Sequence, residues 1–151
     1  MSGKIRILIV DDEESIRIAT AAILEEEGYA VDTAANGKEA IEKSNANFYN
    51  VALIDYRLPD MEGTELLTAF KETTPKMVKI MVTGYPSLQN AVTSVNKRAD
   101  AFLMKPVSIE ILLSTVRDLL RKQEQEQKYS EEKVAEFIET RFRSLEPKVP
   151  L

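Results

Sequence analysis

The stretch Ile7–Ser15, ILIVDDEES, decides how the chain is read. Four apolar, largely β-branched residues run directly into Asp11 and Asp12, and two glutamates follow. The apolar run has the length and composition of a buried strand, and the polar stretch after it opens a helical period. Adjacent carboxylates at the end of a buried strand repel one another, so positive charge must face them from elsewhere in the fold.

The same alternation recurs along the chain. Ile5–Val10, Tyr29–Ala34, Asn50–Asp55, Val78–Thr83 and Asp100–Lys105 read as strands, with helices over Glu13–Glu27, Lys38–Asn47, Gly63–Thr73, Ser87–Lys97 and Ser108–Lys122. Gly28, Gly37, Pro59, Pro75, Pro86 and Pro106 punctuate them. Strict β–α alternation predicts a doubly wound α/β fold, a parallel sheet with helices on both faces. The second run alternates and suits an edge, whereas the first and third are continuously apolar and suit the centre. A strand order of 2-1-3-4-5 satisfies both.

Bulk properties narrow the function. The chain has 151 residues, 44% hydrophobic and 30% charged, with a net charge of −5, which is a globular composition without the basic stripe of a nucleic-acid surface. It contains no cysteine and no histidine, which removes thiolate and imidazole nucleophiles, His or Cys metal sites and a phosphohistidine on this chain. The N-terminus lacks the pattern of a signal peptide and no apolar run approaches a membrane span, so a cytoplasmic location is expected.

Asp11, Thr33, Asp55, Thr83 and Lys105 fall at or one step past the five strand ends, at intervals of 22, 22, 28 and 22 residues. In a doubly wound sheet these ends emerge at one edge, where ligands bind beside the first strand. With order 2-1-3-4-5, Asp11 and Asp12 face Asp55 across a crevice that Thr83 and Lys105 close. At an effective dielectric near 20, two carboxylates about 5 Å apart repel by roughly 3 kcal/mol. A hard divalent cation resolves that conflict, and Mg²⁺ suits an open carboxylate site. Metal, lysine and hydroxyl around a central carboxylate fit phosphoryl transfer onto Asp55. Taken singly, each residue has an ordinary reading: Asp12 as a helix cap, Asp55 as a turn former, Thr83 as a strand residue, Lys105 as a solvated loop lysine. Five in register do not.

With LIVDDEES, VALIDYRLPDMEG, MVTGYPS and DAFLMKP in this order and spacing, the chain resembles a response-regulator receiver domain of two-component signalling over about residues 4–122. The resemblance implies a flavodoxin-like (βα)5 fold, with Asp55 as phosphoacceptor and Asp12 as a direct Mg²⁺ ligand. Asp11 would hold a metal-bound water, and the Arg57 backbone carbonyl would supply a further ligand. Lys105 would meet the phosphoryl oxygens, the Lys105–Pro106 bond would be cis, and Thr83 would donate its hydroxyl. Phe102 would swing inward when Thr83 moves, changing the surface of the fourth helix, fifth strand and fifth helix. Arg57 and Tyr85 flank the pocket and would tune dephosphorylation. Arg98 stands where many such domains have glycine, and we expect the fourth helix to end differently there, using Asn96. The domain assists only its own phosphorylation and dephosphorylation and is otherwise not an enzyme. The donor must be external, a sensor histidine kinase or histidine phosphotransfer protein, selected near Ile16–Ile23 on the first helix.

Other classes fit less well. An aspartate-nucleophile phosphohydrolase wants a second Asp two residues after the first, where Arg57 stands. A nucleotide- or flavin-binding module wants a phosphate-cradling loop, which DDEES would repel. A non-phosphorylated pseudo-receiver would lack a site residue, and a receiver fragment of a larger transcription regulator remains the other alternative. Beyond the receiver, 1–122, residues 123–129 (QEQEQKY) read as a polar linker and 130–151 as an amphipathic helix and tail. Val134, Phe137, Ile138, Phe142 and Leu145 line one face, expected to fold back on the receiver, with homodimerisation or a downstream protein partner as alternatives. Direct contact with nucleic acid or membrane is not expected.

Overall fold

A computed structural model describes residues 3–84, 87, 92–93 and 98–145. Strands β1 (Arg6–Val10), β2 (Ala30–Ala34), β3 (Val51–Asp55), β4 (Val78–Thr83) and β5 (Ala101–Met104) form one sheet in the order β2-β1-β3-β4-β5. All four pairings are parallel. Helices α1 (Glu14–Glu26), α2 (Gly37–Ala46) and α3 (Gly63–Ala69) follow the first three strands, and α4 (Ile109–Leu145) follows β5. The fourth helix expected over Ser87–Lys97, with Asn96, lies outside the described residues except for 87, 92 and 93.

Alternation along the central strands divides the core into two layers. Leu8 and Val10 of β1, Ala52 and Ile54 of β3 and Met81 of β4 pack with Leu66, Leu67 and Phe70 on one face. Ile7, Ile9, Val51, Leu53, Val78 and Ile80 pack with Leu24, Leu112 and Val116 on the other. Every residue of β3 is buried, as its continuous apolar run requires, whereas four of the five β2 residues at the edge are half-buried.

The backbone closes locally where the residue types demand it. After α1, Gly28 takes φ 96°, the Gly28 N–H reaches the Glu25 carbonyl, and the Tyr29 N–H returns to the Leu24 carbonyl. This is a left-handed helix stop that glycine makes without a Cβ penalty. Asn36 caps α2 by accepting from the Glu39 N–H, and the Glu39 carboxylate accepts from the Ala35 N–H.

Four expectations need correction. Helix α3 ends at Ala69 rather than Thr73, with Phe70 already extended, because the β-branched Thr73–Thr74 pair before Pro75 disfavours further turns. Arg98 does take positive φ, 68°, so an arginine occupies a conformation that glycine adopts more easily, by about 1 kcal/mol. Residues 123–129 are not a linker: α4 is one helix of 37 residues, about 55 Å long. Gln, Glu and Lys are good helix formers and no Gly or Pro interrupts them. Gln123, 7% exposed, anchors the helix. Its Nε2 donates to the carbonyls of Asn50 (3.0 Å) and Lys76 (2.8 Å), and its Oε1 accepts from Asn50 Nδ2 at 3.2 Å. Nor does the stripe beyond it fold back: Val134 and Phe137 are 57% and 61% exposed.

Gly63 opens α3 under β3. A Cβ there would stand 2.3 Å from the Asp55 carbonyl oxygen and 2.8 Å from Met81 Cε. Gly63→Ala is therefore expected to lower unfolding stability by about 2–3 kcal/mol through overpacking, measured by urea denaturation.

Candidate functional site: an acidic crevice at the strand ends

The sheet order brings the carboxyl ends of β1, β3 and β4 side by side, and the loop after β5 folds over them. Asp11 follows β1 and is 4% exposed, and Asp55 ends β3 and is 9% exposed. Asp12 is exposed at the rim. Carboxylate oxygens of all three lie within 4.8 Å of one another.

Lys105 supplies the positive charge that the opening stretch required. Its ammonium donates to Asp11 Oδ2 at 2.8 Å and lies 3.5 Å from Asp55 Oδ2. Its own backbone N–H donates to the Thr83 carbonyl at 2.7 Å, so β4 fixes where the side chain begins. The Lys105–Pro106 peptide bond is cis. Burial alone would lower the Lys105 pKa, but the hydrogen bond and charge of Asp11, with the charge of Asp55, hold it above its ordinary value. Burial pushes the Asp55 carboxyl up to about 6, against the downward pull of Lys105 and with an added push from Asp11.

The two members of the acidic pair differ in role. Asp11 Oδ1 accepts the Glu13 N–H at 2.9 Å, and the Asp11 carbonyl accepts from Arg17 Nη1 at 2.7 Å. The start of α1 is thus fastened by Asp11, not Asp12, which leaves the Asp12 carboxylate at the mouth of the crevice. The Arg57 N–H lies 3.5 Å from Asp55 Oδ1, and Arg57 bridges to Glu62 in the loop that turns away from the site. Thr83 is 1% exposed at the end of β4. Phe102 sits half-buried on β5 against the core layer that holds Met81. Tyr85 lies outside the described residues. Thr33 belongs to the far edge strand, where its carbonyl accepts from Lys43 Nζ, and takes no part in the crevice.

Residues not singled out from the sequence shape this edge. Asp60 accepts from the Gly37 and Lys38 N–H groups, 2.9 Å each, tying the β3–α3 loop to the start of α2. The Gly37 hydrogen bond is the main reason its carboxyl stays below the usual range. The Leu58-Pro59-Asp60 turn chemistry was the available signal. Beside the crevice, a largely apolar cavity of about 480 Å³ opens between α1 and the start of α4, lined by Ile16, Ala19, Ile23, Val107 and Leu112 and reaching Asp55 and Lys105.

One lysine among three carboxylates leaves a formal charge near −2, and every ligand atom is a hard oxygen, so the donor set fits Mg²⁺ and no softer ion better. Among the described residues, no helix is long and apolar enough to cross a membrane.

Because the Asp55 pKa is raised in the fold from about 4, its stabilising contribution is complete at low pH and is lost as pH rises from about 4 through about 6. In a metal chelator at pH 7.5, Asp55→Asn should therefore unfold at higher temperature than the unsubstituted chain. The difference should be about 1–2 kcal/mol after solvent screening and should vanish near pH 4, as read by thermal unfolding at both pH values.

Comparison with known proteins agrees with this geometry. The model of the response regulator receiver domain matches residues 7–117. The chain is 35% identical over 118 residues to the transcriptional regulatory protein TrcR of Mycobacterium tuberculosis, covering 78% of this chain and 46% of that protein. It spans about half the length of the curated relatives it matches. Among solved structures, a CheY-like response regulator receiver domain protein from Methanospirillum hungatei is 51% identical with a TM-score of 0.78, covering 82% of this chain and 99% of that one. A response regulator from Burkholderia pseudomallei, solved with a phosphorylated aspartic acid, calcium ion and citrate, is 28% identical with a TM-score of 0.71, covering 84% and 75%. The doubly wound sheet, the acidic crevice at its carboxyl edge and these matches converge: the chain belongs to the response regulator receiver domain family.

Proposed function

We propose that the chain accepts a phosphoryl group on Asp55 from an external histidine kinase or phosphotransfer protein, with Mg²⁺ bound, and passes the signal on through protein contacts. The observation that carries this reading is the placement of Asp55 at the floor of the crevice, with Asp11 and Lys105 beside it. With a pKa of about 6, the carboxylate is mostly ionised at neutral pH and able to attack. One Asp55 oxygen forms the new P–O bond as the donor's P–N bond breaks, and that electron pair returns to the imidazole nitrogen. Asp11, Asp12 and Asp55, with the Arg57 carbonyl, would hold Mg²⁺. When bound, the ion neutralises carboxylate charge and the charge on the transferring phosphoryl oxygens. In this reading Lys105 turns from Asp11 toward a phosphoryl oxygen.

Phosphorylation of Asp55 adds charge and acceptor oxygens next to β4, which draw the Thr83 hydroxyl in and free space for Phe102. Among the described residues, the output surface is then β5 and the first half of α4. Met104 and Ile111, 58% and 53% exposed, already offer apolar contact there. Donor selection falls to α1, where Ile18 is 62% exposed. The partner classes are therefore the donor and a downstream protein, in the cytoplasm, without nucleic acid or membrane. The chain turns over no substrate beyond its own acyl phosphate. Residues 1–122 are the receiver unit in this reading. A second reading, the receiver part of a longer transcription regulator, is favoured by the curated relatives extending well beyond the matched region.

The test is intact-protein mass after incubation with Mg²⁺ and acetyl phosphate. A single added phosphoryl group on the unsubstituted chain and none on Asp55→Asn is expected. Equal modification of both would place the acceptor elsewhere, and no adduct on a folded chain that binds Mg²⁺ would point to a pseudo-receiver.

A further inference from the structure

Beyond Gln123 the face of α4 that packs on the sheet continues outward. At 100° per residue, Leu112, Val116, Leu119 and Leu120 occupy one band of the helix, and Val134, Phe137 and Ile138 return to the same band, with Phe142 at its edge. The receiver body ends near Gln127, however, and residues 128–143 are all exposed. Phe137 and Phe142 are 61% and 66% exposed. We propose that this stripe is an interface between two copies of the chain, joined through their α4 tails as an antiparallel helix pair.

Phase sets the direction. A second helix laid along the stripe in the same sense would continue upstream into the receiver body, because the body occupies that very face above Gln123. Laid in the opposite sense, its C-terminal end points at the body and stops short, and its own body lies off the far end. Charge agrees with this choice. Residues 124–136 carry five Glu and two Lys, whereas 139–143 carry one Glu and two Arg. Antiparallel pairing sets the arginine-bearing tip of each copy beside the acidic stretch of the other, and parallel pairing would stack like on like.

Size and shape agree as well. The four stripe residues expose roughly 400 Å² of apolar side chain per copy, which with a polar rim reaches the lower range of a specific interface. Where the helix leaves the body, a hollow of about 390 Å³ is bounded by Thr74, Glu131, Val134, Ala135 and Ile138. With the pair centred near Ile138, Phe142 of the second copy falls opposite Val134, at this hollow. The proposal stands independently of phosphorylation at Asp55.

Solution mass and one distance test it. The chain has no cysteine, so Glu124→Cys carries a single spin label. Light scattering should give twice the chain mass, and the double variant Phe137→Glu, Phe142→Glu should halve it while far-UV circular dichroism stays helical, since both sites are exposed. Pulsed dipolar spectroscopy should place the two labels about 40 Å apart, from the helical rise on either side of Ile138. A monomer at spectroscopic concentrations would overturn the proposal, as would a dimer indifferent to the double variant. A label separation of about 10–15 Å would mean parallel helices and overturn the assigned direction.

Discussion

Everything at the functional edge depends on holding three carboxylates together. Their oxygens lie within 4.8 Å, a spacing at which each pair costs on the order of 3 kcal/mol unless it is compensated. Lys105 offsets part of that cost by donating to Asp11 and approaching Asp55, but one ammonium cannot neutralise three acids. The remaining negative charge is what the proposed Mg²⁺, and the phosphoryl group it would accompany, has to meet in this crevice. The raised pKa of Asp55 expresses the same conflict, with burial as its largest cause.

The fold spends much of its local geometry on maintaining this arrangement. The β4 backbone at Thr83 holds the start of Lys105, and Asp11 is fastened on both sides, by Glu13 and by Arg17. Gly63 lets α3 approach the Asp55 carbonyl more closely than any side chain would permit. Asp60 ties the loop after Asp55 to the N-terminus of α2. A crevice lined by like charge does not hold itself in place, so its rigidity comes from these backbone contacts beneath and beside it.

The parts legible in the sequence were those tied to regular periodicity. The β–α alternation placed Asp11, Asp55, Thr83 and Lys105 at strand ends, and a doubly wound sheet has one carboxyl edge, so their convergence followed. Thr33 shared that register and still fell outside the crevice, because β2 lies on the side of β1 away from β3 and Asp55. What was not legible depended on contacts distant in sequence or on backbone detail. Gln123 opens a stretch that looks like a solvated linker, and only its hydrogen bonds to the Asn50 and Lys76 carbonyls reveal it as an anchor. The continuity of α4 was hidden because QEQEQK lacks an apolar face, although each residue in it favours a helix. Positive φ at Arg98 runs against residue preference and so leaves no local sign.

The most direct measurement is thermal unfolding as a function of Mg²⁺ concentration, without any phosphodonor, for the unsubstituted chain and for Asp12→Asn. If charge crowding builds the site, Mg²⁺ raises the melting temperature saturably in the unsubstituted chain. The same titration of Asp12→Asn, which removes one rim carboxylate and little packing, should need a much higher concentration for the same rise. A melting temperature of the unsubstituted chain that does not respond to millimolar Mg²⁺, or a response unchanged by Asp12→Asn, would contradict the account.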